Sequence, residues 1–224
     1  VPNRWHLMGV TLSAGGSFRW YRDVLCTDQK IQAEKEGGNA YDLLTQAAAA
    51  APIGSEGLLF LPYLTGERTP HMDAHARGAF VGLTLRHTQA HMTRAVMEGV
   101  TFSLRDSLEL MKNLGLQINQ IRAIGGGARS SLWRQMLANV LGSPVTQMAV
   151  SEGPAYGAAI LAGVGAGVYD DVVSACEGVV RTIGVTEPQE TAIARYNAYY
   201  AEYTRLYDAL KDTMHNLSRL ATNT

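Results

Sequence analysis

Three consecutive glycines lie between a strand-type segment and a helix-type segment in the second half of the chain. Residues 118–124 predict a strand, Gly125–Gly127 follow, and residues 130–141 predict a helix. Glycine permits positive φ and a close approach of a ligand to the backbone, and the helix behind it offers free N–H groups. Such a turn after a sheet strand is where α/β folds bind nucleotides. The turn therefore predicts an α/β domain with a nucleotide site, with a purely structural connection as the alternative.

The sequence argues against several better-known binding and catalytic motifs, both in this turn and in the rest of the chain. A dinucleotide fingerprint requires a third glycine at position 130, where the chain has Ser130, and the P-loop's glycine–lysine pair is absent. His71 and His75, like His87 and His91, are four residues apart but have no third ligand close in sequence, which disfavours zinc. A serine-hydrolase elbow is also missing.

Strand-type and helix-type segments alternate through the chain, which predicts one α/β domain with a partly parallel, mixed sheet flanked by helices. The predicted strands are residues 5–11, 58–61, 78–83, 118–124 and 145–150. The predicted helices are residues 17–25, 40–51, 91–114, 130–141 and 154–164, followed by a last helix that carries a tyrosine stripe and opens with a capping box at Thr186 and Gln189. The stripe predicts docking on the domain, with a homodimer contact as the alternative.

Two further segments carry polar or small residues next to predicted strands. In residues 151–159, Gly157, Ala158 and Ala159 predict a helix pressed close to the sheet, with ligand contact as the alternative. The loop of residues 61–71 continues to Arg77 and is rich in polar groups. It predicts either a cleft or a structural ion-pair network of Glu67, Arg68, Asp73 and Arg77.

Composition limits the class of protein. Hydrophobic residues make up 46% and charged residues 17% of the 224, with a net charge of −1, which is typical of a globular protein and predicts no nucleic-acid partner. No apolar run is long enough for a membrane span, and no signal peptide is visible. We therefore expect a cytoplasmic protein. The chain opens on Val1 without a leader, so we expect it to be part of a longer protein.

Four segments in order resemble the C-terminal domain of the FGGY carbohydrate kinases. They are Leu61–Pro70 (LPYLTGERTP), Ala76–Leu83 (ARGAFVGL), Gly125–Gln135 (GGGARSSLWRQ) and Glu152–Ala159 (EGPAYGAA). Within that family the first and third are most similar to xylulose kinases. The resemblance implies an actin-like ATPase, ribonuclease H-like fold, with residues 1–224 as the C-terminal nucleotide-binding domain and an N-terminal domain absent from this chain.

The resemblance also implies roles for individual residues. Gly126, Gly127 and Ala128 would line the adenine and ribose of ATP, with Ser131 near the base. Thr84 would face the phosphates, and Gly82 would keep the backbone close there. The implied reaction converts D-xylulose, a ketopentose, to D-xylulose 5-phosphate with ATP and Mg²⁺. The catalytic base and most sugar contacts would belong to the missing domain, and no metal ligand is expected in this chain.

Three other functions stay open. The first is a related kinase of the same family acting on ribulose, fuculose, glycerol or gluconate. The second is a non-catalytic, actin-like ATP-binding module. The third, a nicotinamide-dependent enzyme, is disfavoured by Ser130.

Overall fold

The apolar positions spaced by three and four residues after His91 form one long central helix, as predicted. It starts two residues before His91, and its first turn is fixed by the Thr88 N–H, which donates to Nδ1 of His91 at 3.2 Å.

The computed structural model describes residues 1, 3–150 and 153–222. Its helices are α1 (Ala14–Leu25), α2 (Thr27–Glu36), α3 (Ala40–Ala49), α4 (Gln89–Asn113), α5 (Ser131–Leu141), α6 (Gly153–Gly165), α7 (Val172–Val179) and α8 (Glu190–Thr222). Its strands are β1 (Leu59–Leu61), β2 (Ala79–Val81), β3 (Ile121–Ala123), β4 (Val145–Met148) and β5 (Thr182–Thr186).

The core is built around α4, which is covered on its N-terminal half by α1, α3, β1, α5 and α8. Residues 93–103 of α4 are buried without interruption. Gly99 allows the helix to cross β1 directly, because a Cβ there would lie 2.1 Å from the Phe60 carbonyl oxygen. The helix therefore fixes the positions of the surrounding elements.

The strands form two small sheets rather than one. β1 and β2 pair antiparallel, with Phe60 opposite Phe80. β3 and β4 pair parallel, with Ile121 opposite Val145, and β5 pairs antiparallel with β4. The predicted mixed sheet is confirmed in β3–β5, while β1 and β2 stand apart from it.

The last helix docks on the domain through its tyrosines, which confirms the structural reading of the stripe. Tyr196 and Tyr203 are buried, and their rings lie 6.1 and 5.3 Å from that of Phe102 on α4. The predicted capping box is wrong, because Thr186 ends β5 opposite Val145 and the helix begins only at Glu190.

The predicted strand at residues 5–11 is also wrong. Those residues form no strand, and Trp5 is 99% exposed. The run has strand-type composition but no ladder partner among the described residues. Val10 accepts at its carbonyl oxygen from the Thr69 N–H at 3.0 Å and donates its N–H to the Thr69 hydroxyl at 3.0 Å, and the Thr11 hydroxyl donates to Glu67 at 2.9 Å.

The predicted close packing of α6 through its small residues is wrong as well. A Cβ at Gly157 would meet no atom within 4 Å, and Ala158 and Ala159 are exposed. The helix is held instead by the buried Ile160 and by Tyr156, whose hydroxyl donates to the Val179 carbonyl at 2.7 Å. Residues 151–152 of that predicted turn lie outside the described residues. Within the described chain, no helix combines the length and apolar character needed to cross a bilayer.

Candidate functional site

The predicted glycine turn connects β3 to α5 through a single 3₁₀ turn. Gly125 has φ 81° and ψ −177°, a conformation essentially restricted to glycine. The 3₁₀ turn spans Gly126–Arg129. Ser130 then caps α5 by accepting a hydrogen bond from the Trp133 N–H at 3.3 Å. The strand–glycine–helix connection is therefore present as the sequence predicts.

The four residues singled out in this turn have different surroundings. Gly126 and Ser131 are exposed, and a Cβ at Gly126 would meet no atom within 4 Å. Gly127 faces the protein, because a Cβ there would lie 3.2 Å from the ring of Trp133. Ala128 is buried. The turn thus offers an open backbone surface at Gly126, with Gly127 and Ala128 beneath it.

Two side chains that the sequence analysis did not single out support the turn. The Trp133 indole N–H donates to the Thr101 hydroxyl of α4 at 3.0 Å, and its ring meets Phe18 edge-on at 5.4 Å. The Arg134 guanidinium donates to the Ala128 carbonyl at 2.6 Å. These contacts hold the turn rigidly against the core.

The second predicted region lies before α4, where β2 ends. Gly82 has φ 96°, and a Cβ there would lie 2.3 Å from the Gly57 carbonyl oxygen, so only glycine fits. The exposed Thr84 donates its N–H to Nδ1 of His87 at 2.8 Å. Nε2 of His87 lies 3.1 Å from the Ser55 carbonyl, which only accepts. His87 therefore links the Thr84 amide to the loop that carries Ser55.

The loop that carries Ser55 is held in an unusual conformation by a buried ion pair. All four residues of 54–57 have positive φ. Glu98 accepts from the Gly54 N–H at 3.0 Å and the Ser55 hydroxyl at 3.1 Å, and it pairs with Arg94 at 2.8 Å. Burial raises the pKa of Glu98, and Arg94 and the Gly54 N–H oppose that rise. Two opposite charges four residues apart within an otherwise uncharged helical stretch are the sequence signal for this pair.

The glycine turn and Thr84 lie at different levels along α4. The turn is anchored at Thr101 through Trp133, whereas Thr84 precedes the start of the helix at Gln89. Twelve helical residues separate Gln89 from Thr101, which corresponds to roughly 18 Å. The two regions are therefore separate along the axis of α4.

A cavity of about 100 Å³ adjoins the glycine turn on the side of α6. Its wall is mostly apolar, and a Cβ at Gly153 would lie 2.4 Å from the Ile124 side chain. It is lined by Ile124, Met148, Val150, Gly153, Tyr156, Val180 and Arg181. The site thus has an apolar flank beside its open backbone surface.

In the polar loop after β1, Glu67 and Asp73 make contacts that hold the loop to the rest of the fold. Glu67 is buried and accepts from the Leu12 N–H at 2.9 Å, which ties the loop to the segment before α1. Asp73 pairs with His215 of α8 at 2.7 Å. Although burial raises it, hydrogen bonds from His215, the His75 N–H and Tyr207 lower the pKa of Asp73 to about 2. The predicted network of Glu67 and Arg68 with Arg77 is wrong, because the guanidinium of Arg77 bonds to backbone carbonyls and Ser218.

The histidine pairs are used in packing. The ring of His71 stacks on Tyr207 at 3.6 Å, and His75 lies 3.0 Å from the Ser218 hydroxyl. Burial lowers the pKa of His71. Among residues 1, 3–150 and 153–222, no group of three or more His, Cys, Asp or Glu side chains could hold a metal ion.

Comparison with known proteins links this geometry to one family. The C-terminal domain of the FGGY family of carbohydrate kinases matches residues 1–166. A xylulose kinase of Staphylococcus epidermidis is 39% identical over 211 residues, which cover 94% of this chain and 40% of the relative. A gluconokinase of Bacillus subtilis is 34% identical over 224 residues, which cover 100% of this chain and 41% of the relative.

A solved structure agrees with these relatives. The ligand-bound xylulose kinase from Lactobacillus acidophilus has a TM-score of 0.79 and 33% identity, covering 92% of this chain and 40% of that one. These sugar kinases have the actin-like ATPase fold, so the predicted fold is confirmed. The chain spans about 40% of the length of the relatives that it matches.

Proposed function

The chain belongs to the FGGY family of carbohydrate kinases, which are ATP-dependent phosphotransferases, and we propose that residues 1–224 form the nucleotide-binding C-terminal domain of a xylulose kinase. Such an enzyme converts D-xylulose to D-xylulose 5-phosphate. The observation that carries the proposal is the open, braced turn at Gly125–Ala128 leading directly into α5. The similarity to xylulose kinases supports the choice of sugar.

In this proposal the turn holds the adenosine of ATP. The space above Gly126 accepts a flat base without a side chain in the way, and Ser131 at the start of α5 offers a hydroxyl beside it. Gly127 and Ala128 form the inner side of this surface, and Gly127 faces the ring of Trp133. The residues present therefore fit the nucleoside part of ATP.

Thr84 serves the phosphate end in the same proposal. Its hydroxyl is exposed, and its backbone is fixed by Gly82 on one side and His87 on the other. The separation along α4 suits a ligand with a base at one end and phosphates at the other. Bound Mg²⁺ would neutralise phosphate charge and would be held largely by phosphate oxygens and water.

This chain's contribution is to position the nucleotide. We assign no general base to the described residues and propose that the base and the sugar-contacting groups belong to the remainder of the kinase. Phosphoryl transfer depends mainly on positioning and charge stabilisation. Holding one of the two substrates in place is therefore a sufficient role for this domain.

Gluconate is the second candidate substrate. The gluconokinase of Bacillus subtilis matches this chain over its whole length, and the gluconate kinase from Lactobacillus acidophilus has a TM-score of 0.75. The turn is compatible with either sugar, because it is proposed to hold the nucleotide alone.

The test uses the complete kinase that contains this chain, assayed with MgATP against ketopentoses, glycerol and gluconate. We expect D-xylulose to give the highest kcat/KM, and a preference for gluconate would transfer the assignment to the second candidate. No phosphorylation of any of these sugars would refute the kinase proposal.

A variant tests the nucleotide site itself. Gly126→Trp fills open space, so the fold is expected to persist while the KM for ATP rises at least about tenfold and the KM for the sugar stays unchanged. Gly165→Trp is the matched control, since Gly165 is also in open space but lies at the far end of α6, twelve residues beyond Gly153 or roughly 18 Å. An unchanged KM for ATP in Gly126→Trp would show that the turn is only structural.

A further inference from the structure

The segment of residues 54–57 has a backbone conformation that depends on support from its surroundings. Gly54, Ser55, Glu56 and Gly57 all have positive φ, between 48° and 94°. For Ser55 and Glu56, which carry side chains, this region of backbone conformation is uncommon. Such residues persist there only when the surrounding structure holds them, and they cluster at functional sites. The contacts of this segment therefore indicate both what holds it and what it serves.

The same segment lies against the residues assigned to the phosphate end of the nucleotide site. A Cβ at Gly82 would overlap the Gly57 carbonyl oxygen, so the two backbones are in contact. The Ser55 carbonyl oxygen lies 3.1 Å from Nε2 of His87, and Nδ1 of that ring accepts from the Thr84 N–H at 2.8 Å. The position of Thr84 therefore depends on the position of the segment.

The last helix, α8, contacts the segment as well. The ring of Tyr199 fills the space beside Gly54, where a Cβ would overlap it. The Tyr196 hydroxyl donates to Oε1 of Glu98 at 3.1 Å and accepts from Nη2 of Arg94 at 3.0 Å. The same Glu98 oxygen accepts from the Gly54 N–H at 3.0 Å. One ring of α8 thus supports the segment directly, and one hydroxyl supports it through the buried ion pair.

We propose that α8 positions the phosphate end of the nucleotide site, by holding the 54–57 segment that fixes Thr84. This inference rests on the proposed function, which assigns Thr84 to the phosphates. The family match covers residues 1–166, so α8 lies outside it. Tyr196 and Tyr199 are positioning residues, since they act through the segment rather than on the nucleotide. Without them the segment relaxes toward common backbone conformations, and the phosphates lose their alignment.

Hydrogen exchange at the Thr84 amide in the full chain tests these contacts without an activity assay. Tyr199→Ala removes the ring beside Gly54, and we expect it to speed exchange at Thr84 at least about fivefold. Tyr199→Phe keeps the ring and should exchange like the wild type. Tyr196→Phe removes only the hydroxyl and should speed exchange about threefold. The amide of Val100, in the buried middle of α4, reports global opening and should exchange much more slowly than Thr84 in every variant.

The complete kinase tests the effect on turnover. With MgATP and the preferred sugar, Tyr199→Ala and Tyr196→Phe should lower kcat at least about fivefold and leave the KM for the sugar unchanged. Tyr199→Phe should retain the wild-type kcat. Tyr200→Phe is the matched control, because it also removes an α8 hydroxyl from a buried carboxylate, that of Asp106. It should lower the Tm and leave kcat unchanged.

Wild-type exchange at Thr84 in both Tyr199→Ala and Tyr196→Phe would overturn the proposal, and so would faster exchange with an unchanged kcat. An equal loss of kcat in Tyr200→Phe would also overturn it, because any weakening of α8 would then have the same effect. Failure of the proposed function is recognised separately, since Gly126→Trp would then leave the KM for ATP unchanged. Failure of this inference alone leaves the rise in that KM intact.

Discussion

Replacing Asp106 by asparagine should stabilise the chain above neutral pH and leave its stability unchanged in acid. The carboxyl is buried between α4 and α8, and Asn keeps an acceptor oxygen for the Tyr200 hydroxyl. Burial, assisted by the negative charges of Glu67 and Glu109, raises the pKa of Asp106 from 3.8 to about 6, against the lowering effects of Tyr200 and Arg105.

The magnitude follows from that shift. Since the folded state binds the proton more tightly than the unfolded state, the neutral carboxyl favours folding at low pH. This favourable contribution is lost as the pH rises from about 4 through about 6. A shift of roughly two pKa units corresponds to about 3 kcal/mol, which is an upper limit for the gain from Asp106→Asn because the charge-assisted bond from Tyr200 is lost. We expect a gain of about 1–3 kcal/mol near pH 8 and about zero near pH 4.

Urea unfolding of wild type and variant at several pH values measures this difference directly. Asp212→Asn on the exposed side of α8 controls for the loss of one charge. An equal change in the free energy of unfolding at every pH, or a variant less stable than wild type near pH 8, would contradict this prediction. Either result would show that burial of the ionised Asp106 carboxylate does not destabilise the fold.

Substitutions at three positions, Gly82, Glu98 and His87, test the frame of the candidate nucleotide site. Gly82→Ala adds a Cβ against a carbonyl at positive φ and should cost at least about 2 kcal/mol in urea unfolding, whereas Gly126→Ala faces open space and should cost under about 0.5. Glu98→Gln leaves a buried guanidinium unpaired and should cost about 3–5 kcal/mol, and a loss below about 1 would show that the pair is dispensable. His87→Asn retains an acceptor near the Nδ1 position and should preserve slow hydrogen exchange at the Thr84 amide, whereas His87→Ala should speed it at least about tenfold; equal rates in both variants would refute that contact.

The sequence predicted the features that depend on local pattern. The helix behind the glycines and α4 were predicted within two residues of their observed bounds, because three-to-four spacing and caps are read from neighbours in the chain. The strand predicted at residues 5–11 failed because a strand needs a ladder partner, which composition does not reveal. The helix α2 was missed because its residues, Thr27–Glu36, are mostly polar and lack an apolar stripe.

Within the candidate site, the glycines were predicted and their supports were not. Trp133 reaches Thr101 across 32 positions, and Glu98 reaches Gly54 across 44, so no local pattern indicates either contact. The buried Asp106 shows the same limit, because its partner Tyr200 lies 94 positions away on α8.

Because Gly99 seats α4 against the backbone of β1, the helix has little freedom to slide or rotate relative to the core. The glycine turn is anchored to α4 at Thr101, and the segment around Thr84 leads into the start of the same helix. The distance between the glycine turn and Thr84 is therefore fixed. Any opening or closing of a larger assembly would move this domain as a whole and leave that distance unchanged.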